Sequence, residues 1–277
     1  MNTSPSYVVF TDLDGTLFDH HTYAWQPALS AIRQLQSLNI PIIINTSKTA
    51  AEVIPIQKEL GISAPFIVEN GSALYIPQGH YDEQLKHNIK AKLQGDFYCL
   101  LFGAERDDII QKLYKERAAQ NLKFSGYTDW DTAQLMQHTG LDKTSAEHSL
   151  SRQYSEPILW QDSQAAHDKF TDFITQQGLK ILIGGRFQHI LGNTNKAKPM
   201  HFFRSQLYPE PETKFICLGD TSNDIAMLEF ADIAVCIRSP ACDYPQLKHK
   251  QIYRSKKFGP EGWQEAIEHI LMHNGKI

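Results

Sequence analysis

Cysteine, long apolar runs and surplus charge are all scarce in this chain. Its 277 residues include four cysteines (Cys99, Cys217, Cys236 and Cys242), none in a CxxC pair. That spacing argues against a thiolate metal site and a disulfide framework. Cys217 and Cys236 also fall in apolar strand-like runs, so the cysteines are expected reduced and buried. No window approaches the ~18 consecutive apolar residues of a membrane span, so no membrane partner is expected. The net charge of -4 leaves no basic footprint for nucleic acid. The Met1–Ser6 stretch is short and polar, unlike a secretory leader, and a cytoplasmic location is expected. No GxGxxG follows the first strand, which removes a nicotinamide-binding reading. What is present is ordinary globular material, 42% hydrophobic and 21% charged, long enough for a core and a second module.

Hydrophobic patterning gives the first half of the chain an alternating rhythm. Tyr7 to Thr11 reads as a buried strand. Pro27 to Ser37 carries Ala28, Leu29, Ala31, Ile32 and Leu35 at helical spacing. Ile40 to Ile44 is a second strand, Ala50 to Leu60 a helix stopped by Gly61, and Pro65 to Val68 a third strand. Glu69-Asn70-Gly71 then turns into Ser72 to Ile76 as a hairpin. Strand and helix in alternation predict an α/β fold with a doubly wound parallel sheet.

After Pro77 the rhythm changes. Tyr81 to Gln120 is polar and reads as mostly helical, with one apolar patch at Tyr98 to Phe102. Asp131 to Arg152 is another polar helical stretch, and Glu156 to Gln161 and Leu179 to Ile183 are strands flanking a helix at Ala165 to Gln177. The alternation resumes with helical Asn195 to Leu207, strand Lys214 to Leu218, helix Asn223 to Phe230, strand Ile233 to Ile237 and helix Gly262 to His273. The expected organisation is a discontinuous core, 1–80 with 186–277, interrupted by an α+β insert over 81–185. Its hinges are expected at Pro77-Gln78-Gly79 and Gly192-Asn193.

The chemistry-bearing residues cluster at strand ends. Asp12-Leu13-Asp14-Gly15-Thr16 follows the first strand, and two carboxylates two residues apart there point the same way. Thr46 and Ser47 follow the second strand, Gly219-Asp220-Thr221-Ser222-Asn223-Asp224 follows a later one, and Lys196 begins the helix before it. In an open parallel sheet the carboxyl ends of the strands are where ligands bind. The inventory suits phosphoryl transfer to a carboxylate. Asp12 would attack phosphorus, and Asp14 would protonate the leaving alkoxide and then activate water. Acids from two strand ends suggest a Mg2+ site on Asp12 and Asp220, and Thr46 and Lys196 would hold phosphate oxygens, with Lys198 a competitor for the lysine's role. His20-His21 are adjacent on a loop and expected solvated, and Tyr23 and Trp25 are expected to pack beneath the insert, with stacking on a sugar the alternative.

At these residues the chain resembles the haloacid dehalogenase phosphohydrolase superfamily. Its four motifs stand in order: Asp12-x-Asp14-Gly15-Thr16, Thr46, Lys196, and Gly219-Asp220 with Asp224. The resemblance implies that the Asp14 backbone carbonyl joins the metal site and that Asp224 is a ligand or supports one. The large insert looks like a C2B-type cap, and Glu69-Asn70-Gly71 and Asn223-Asp224 suit the Cof-like branch, with Asn70 and Asn223 near substrate. Thr46-Ser47-Lys48-Thr49, Gly259-Pro260-Glu261-Gly262-Trp263 and the cap segments around Arg152 and Arg186 are similar to mannosyl-3-phosphoglycerate phosphatases.

That likeness covers nearly the whole chain and implies hydrolysis of a glycosyl-3-phosphoglycerate to a glycosylglycerate osmolyte and phosphate. Arg152 and Arg186 are partners for a carboxylate or phosphate, because guanidinium offers a planar fork. Ser155, Glu156 and His189 would bond sugar or glycerate, and Ser47 and Lys48 belong to the same pocket. Lys48 stands where relatives carry Arg, and either orients phosphate or caps its loop. The chain departs from the pattern at Asn195-Lys196-Ala197-Lys198 and at Thr221-Ser222, without losing a ligand. A sugar-phosphate phosphatase, a phosphomutase and a metabolite-sensing scaffold are the competing readings. The sequence leaves the oligomeric state and the identity of the sugar open.

Overall fold

The computed structural model describes residues 6–79, 81, 85, 91–184 and 186–273. The chain runs β1 (Tyr7–Thr11), α1 (Leu29–Ser37), β2 (Ile42–Asn45), α2 (Ala50–Leu60), β3 (Phe66–Val68), β4 (Ala73–Pro77), β5 (Lys92–Gln94) and β6 (Phe97–Leu101). Next come α3 (Arg106–Gln120), β7 (Phe124–Gly126), α4 (Thr132–Thr139), α5 (Lys143–Leu150), β8 (Ser155–Trp160), α6 (Gln164–Gln176), β9 (Leu179–Ile183) and β10 (Gln188–Gly192). It closes with α7 (Lys198–Phe202), β11 (Lys214–Gly219), α8 (Ile225–Phe230), β12 (Ile233–Arg238), β13 (Ile252–Phe258) and α9 (Gly259–Met272).

The larger sheet has nine strands in the order β13-β12-β11-β1-β2-β3-β4-β6-β5. Pairing is parallel from β13 to β3 and antiparallel from β3 through β4 and β6 to β5. The expected doubly wound sheet is there, lengthened by an antiparallel edge. Both faces are covered, which is why its central strands read as unbroken apolar runs. Val9, Ile44, Ile216 and Val235 face one layer with α1 and α9, where Trp263 is fully buried. Val8, Phe10, Ile43, Phe215 and Cys217 face the other, against Met200, Phe203 and Met227.

The smaller sheet has four strands in the order β7-β8-β10-β9. Ile158 and Ile190 point to α3 and α6 and build a separate core with Ile109, Leu113, Phe170 and Ile174. Strand residues alternate between faces, so Ser155, Pro157 and His189 lie on the face opposite Glu156, Ile158 and Ile190.

Several expectations change here. Lys92–Leu101, expected in the insert, hydrogen-bonds into the larger sheet, and Gln188–Gly192, expected in the core, hydrogen-bonds into the smaller one. Tyr98 to Leu101 of the apolar patch is thus strand rather than helix, with Phe102 just past its end; the parts of that expected helical run at 82–84 and 86–90 lie outside the described residues. Asp131 to Arg152 is two helices, because Gly140 ends α4 and the Asp142 side chain caps α5 by accepting from Ser145 N. Asn195 to Leu207 shortens to α7 followed by a π-helical turn at Phe203–Leu207. The sequence does not announce β7, which is short, β10, which opens on polar Gln188 and His189, or β13, which is rich in Arg and Lys. All four cysteines are free; three are buried, but Cys242 is exposed because its loop lies outside any strand.

The chain crosses between the sheets at 102–104 and again at 192–193. Lys198 Nζ donates to both crossings, to Phe102 O at 2.9 Å and Asn193 O at 3.0 Å. Gly192 is needed where they touch: a Cβ there would lie 2.5 Å from Ala104 N and from Gly103 C. Pro77-Gln78-Gly79 is not a crossing; Gln78 N bonds Asp96 O at 3.0 Å at the edge of the larger sheet.

Candidate active site

The site forms where β1, β2, β3 and β11 end side by side. Asp12 leaves β1 with its amide on Leu218 O at 3.0 Å, so parallel pairing with β11 sets its position. Gly15 turns the chain at φ 76, and its missing Cβ leaves room for Asp220, whose Oδ2 would otherwise lie 2.5 Å away. Thr16 Oγ1 then donates to Asp220 Oδ1 at 3.1 Å, tying the first motif to the fourth. Behind them the Trp263 indole donates to Thr11 Oγ1 at 3.0 Å.

Lys196 is fully buried among acids. Its Nζ is 2.7 Å from Asp12 Oδ1 and 2.6 Å from Asp224 Oδ1. The other Asp224 oxygen accepts from the backbone amides of Asp220 and Thr221, each at 3.1 Å. One oxygen from each of Asp12, Asp220 and Asp224 lies within 4.8 Å of the others. Burial is the main force raising the Asp12 carboxyl to about 8; Lys196 opposes it, and Asp224, Asp220 and Asp14 reinforce it. Burial, then Asp224, raises Asp220 to about 7 against the Thr16 hydrogen bond. Burial disfavours the Lys196 ammonium, but Asp12 and Asp224 outweigh it and hold its proton more tightly than usual. Three carboxylates around one ammonium are short of positive charge, and the donor set of hard oxygens fits a small divalent cation.

The second strand end supplies hydroxyls and a lysine. Thr46 is buried, and Asn70 N bonds its carbonyl at 2.9 Å. Asn45 Nδ2 reaches Lys196 O at 2.9 Å and so locates the lysine's backbone. Lys48 Nζ is 2.9 Å from Asp14 Oδ2 and 4.0 Å from Glu52 Oε1. Burial opposes its charge, but Asp14 and Glu52 outweigh it and raise its proton affinity. Asp14 Oδ1 is buried without a partner. The loop's helix is capped by Thr49 with Glu52, and Lys48 pairs with Asp14 rather than capping it. Of the two competing lysines, Lys196 faces Asp12 and Lys198 holds the crossings.

Glu69 joins the two modules. It is buried, with φ 49, and accepts from Gln153 N at 3.0 Å, Tyr154 N at 3.1 Å and Ser155 Oγ at 2.6 Å. Burial raises its carboxyl, with Arg152 3.8 Å away opposing. Arg152 Nη1 also donates to Ser47 O at 3.2 Å and to Ser155 Oγ at 3.1 Å, while its Nε is buried without a partner. His189 Nδ1 is likewise buried and unpartnered; burial and then Arg152 push the imidazole down to about 3, so the ring is neutral. Asn223 Nδ2 bonds Asn70 Oδ1 at 3.2 Å, setting both amides beside the fourth motif.

One expected substrate partner, Glu156, stands elsewhere, and a second, Arg186, makes no contact among the described residues that ties it to the site. Glu156 is fully buried on the far face of β8, where Arg106 Nε and Nη2 bond its Oε2 at 2.8 and 2.6 Å and Thr128 N bonds its Oε1 at 2.8 Å. Strand alternation turns it away while turning its neighbour Ser155 inward. Arg186 is exposed in the turn between β9 and β10, and no ion pair ties it to an acid among the described residues. The sequence names Thr16 and Glu69 as members of motifs without giving them a role, and gives no signal for Asn45 or Arg106 as site residues. Asn45 adjoins Thr46 and was findable; the roles of Glu69 and Arg106 depend on partners far along the chain. His20 and His21 are exposed, as expected.

Known proteins place this geometry. The model of a family described as haloacid dehalogenase-like hydrolase matches residues 9–241. A glucosyl-3-phosphoglycerate/mannosyl-3-phosphoglycerate phosphatase of Methanococcoides burtonii is 35% identical over 276 residues, covering 98% of this chain and 99% of its own length. Its counterpart from Persephonella marina is 33% identical over 269 residues, covering 95% and 97%. The solved sucrose-phosphatase of Synechocystis, in complex with sucrose and phosphate, shares the fold with a TM-score of 0.60 at 18% identity, covering 95% of this chain and 97% of that one. With the family pattern matched across most of its length and phosphatases aligned nearly end to end, the chain belongs to the haloacid dehalogenase-like hydrolase family and is a phosphatase within it.

Proposed function

We propose that the enzyme hydrolyses a glycosyl-3-phosphoglycerate, with mannosyl or glucosyl as the sugar, to the glycosylglycerate and phosphate. The observation that carries this substrate is the near full-length likeness to two phosphatases named for it. Mg2+ is the proposed cofactor: Asp12, Asp220 and the Asp14 backbone carbonyl would hold it, with Asp224 aligning Lys196 and the Asp220 loop. When bound, the ion offsets the repulsion between the carboxylate and the phosphate dianion.

The residues divide the work as follows. An Asp12 carboxylate oxygen attacks phosphorus, and the bond from phosphorus to the glycerate oxygen breaks, leaving an aspartyl-phosphate. Asp14 donates a proton to the departing oxygen through its unpartnered Oδ1. It then takes a proton from water as that water attacks phosphorus and returns Asp12 as a carboxylate. Lys48 holds Asp14 in place from its other oxygen. Thr46 and Lys196 would hold phosphate oxygens as charge redistributes. The unpartnered Arg152 Nε and neutral His189 Nδ1, on the insert's inner face, support contact with the glycerate carboxylate and hydroxyl.

The test is phosphate release from mannosyl- and glucosyl-3-phosphoglycerate beside hexose phosphates and sucrose phosphate, with Mg2+ and with a chelator. Metal-dependent turnover fastest on a glycosyl-3-phosphoglycerate is the expected result. Faster turnover of a hexose phosphate would replace this substrate with the sugar-phosphate reading.

A further inference from the structure

We propose that the glycosyl part of the leaving group binds in the cavity between the loop after β1 and the junction of α4 and α5. Trp25 and Tyr23 form its apolar platform, and Ser145 and His148 its polar wall. The inference rests on the substrate proposed above and assigns that substrate's sugar to a place.

The cavity measures ≈ 630 Å³ and draws its walls from both modules. That size falls in the ~300–1,000 Å³ range of small-molecule sites. Its location follows from the chemistry. The acid that protonates a leaving oxygen touches that oxygen, so the rest of the leaving group extends beyond the acid. Lys48 lines the cavity and bonds Asp14 Oδ2 at 2.9 Å, so the open space begins one side chain from the proton donor. Thr49 Oγ1 donates to His148 O at 2.9 Å, which brings the insert's wall against α2 beside the same space.

The lining selects a class of ligand. Trp25 Nε1 donates to Glu59 Oε1 at 2.7 Å, which fixes the indole while its ring borders the cavity. Tyr23 keeps an exposed aromatic ring there from φ 57, a conformation disfavoured for a bulky residue. Aromatic faces accept the C–H surface of a sugar ring, and the surrounding hydroxyls need polar partners. Glu52, Ser145 and His148 supply these. Lys48 is the lone lysine or arginine among the lining residues, and it already pairs with Asp14 and Glu52. Glu59 and Asp142 add negative charge, so the cavity suits a neutral polyhydroxylated ring and disfavours a second anion.

The test uses the full chain with two esters, glucosyl- or mannosyl-3-phosphoglycerate and the sugar-free p-nitrophenyl phosphate. Trp25→Ala removes the platform, and Ser145→Trp fills the space from the opposite wall without touching the loop after β1. Each is expected to lower the ratio of kcat/KM between the glycosyl ester and p-nitrophenyl phosphate by about 10-fold. The neutral product, mannosylglycerate or glucosylglycerate, is expected to shift the Trp25 indole N–H resonance of the wild type, and Ser145→Trp to abolish that shift. An unchanged ratio in Ser145→Trp, or no resonance shift on titration, overturns the assignment. A wild-type preference for hexose phosphates would defeat the substrate proposal instead, and the product titration would still decide whether this cavity takes a sugar.

Discussion

The wall of the site built by the larger sheet and the wall built by the insert are completed to different degrees. On the sheet side nearly every polar atom has a partner within the chain: Lys196 with Asp12 and Asp224, Asp220 with Thr16, Asn70 with Asn223. On the insert side Arg152 Nε and His189 Nδ1 are buried without partners, and a large cavity opens beside α5. Groups that act on phosphorus must stand in place before substrate arrives, because reorganising them during the reaction raises the barrier. Groups that recognise a leaving group gain their bonds from it. The sheet side has two exceptions among the described residues, Asn45 Oδ1 and Asp14 Oδ1, and the second is the atom that exchanges a proton with substrate in the proposed mechanism.

That contrast can be broken, most forcefully at Asp12. Asp12→Asn is expected to cut phosphate release by about 10⁴-fold or more while leaving the fold intact, as removal of a nucleophile does. Retained metal-dependent release would end the nucleophile assignment. Lys196→Met comes next, with a fall of about 10²–10³ in kcat, the usual cost of removing one preorganised charge. Stopped assays on a sugar-free ester read this directly; a change confined to KM would move the lysine from chemistry to binding.

Inside the insert the effect should shift from rate to stability. Glu156→Ala leaves Arg106 without its buried partner, which costs roughly 3 kcal/mol in unfolding free energy by denaturant titration. A loss seen in kcat alone, with stability kept, would return Glu156 to the substrate and overturn its correction. The smallest effect concerns pH in chelator-treated protein. Asp12 at about 8 and Asp220 at about 7 lie above the ordinary carboxylate range. Folding raises both, so the stability they lend is complete below about pH 4 and is lost as pH rises through 7 to 8. Melting of the metal-free protein should therefore fall across that window, and Mg2+ should flatten the fall. A metal-free melting temperature that climbs from pH 5 to 8 would contradict it.

The sheet-side wall was legible in the sequence because strand ends and turn residues are local signals. Asp12, Thr46 and Asp220 each follow an apolar strand, and parallel pairing brings such ends together without further information. The insert was less legible. Glu156 and Ser155 are neighbours of similar polarity, and only the pairing of β8 with β10 tells which faces the core. β5 and β6 looked like part of the insert because their strands continue the larger sheet through an antiparallel edge, which the helix–strand rhythm does not announce. β13 hid behind Arg254, Lys256 and Lys257, whose charge masks a strand at the sheet's edge. The sequence lets Tyr23 and Trp25 pack beneath the insert or stack on a sugar, and their place beside open space follows only from where α5 lies.

The touching backbones at Gly103, Ala104 and Gly192 work as an axle without clearance. Lys198 is its pin, reaching the chain as it leaves the sheet and as it returns. Any methyl group at position 192 would act as a doorstop, levering the two passages apart. A Gly192→Ala protein should therefore sit ajar: its groups on the sheet unharmed, but its chamber wetter, and its turnover most impaired on the bulkiest esters.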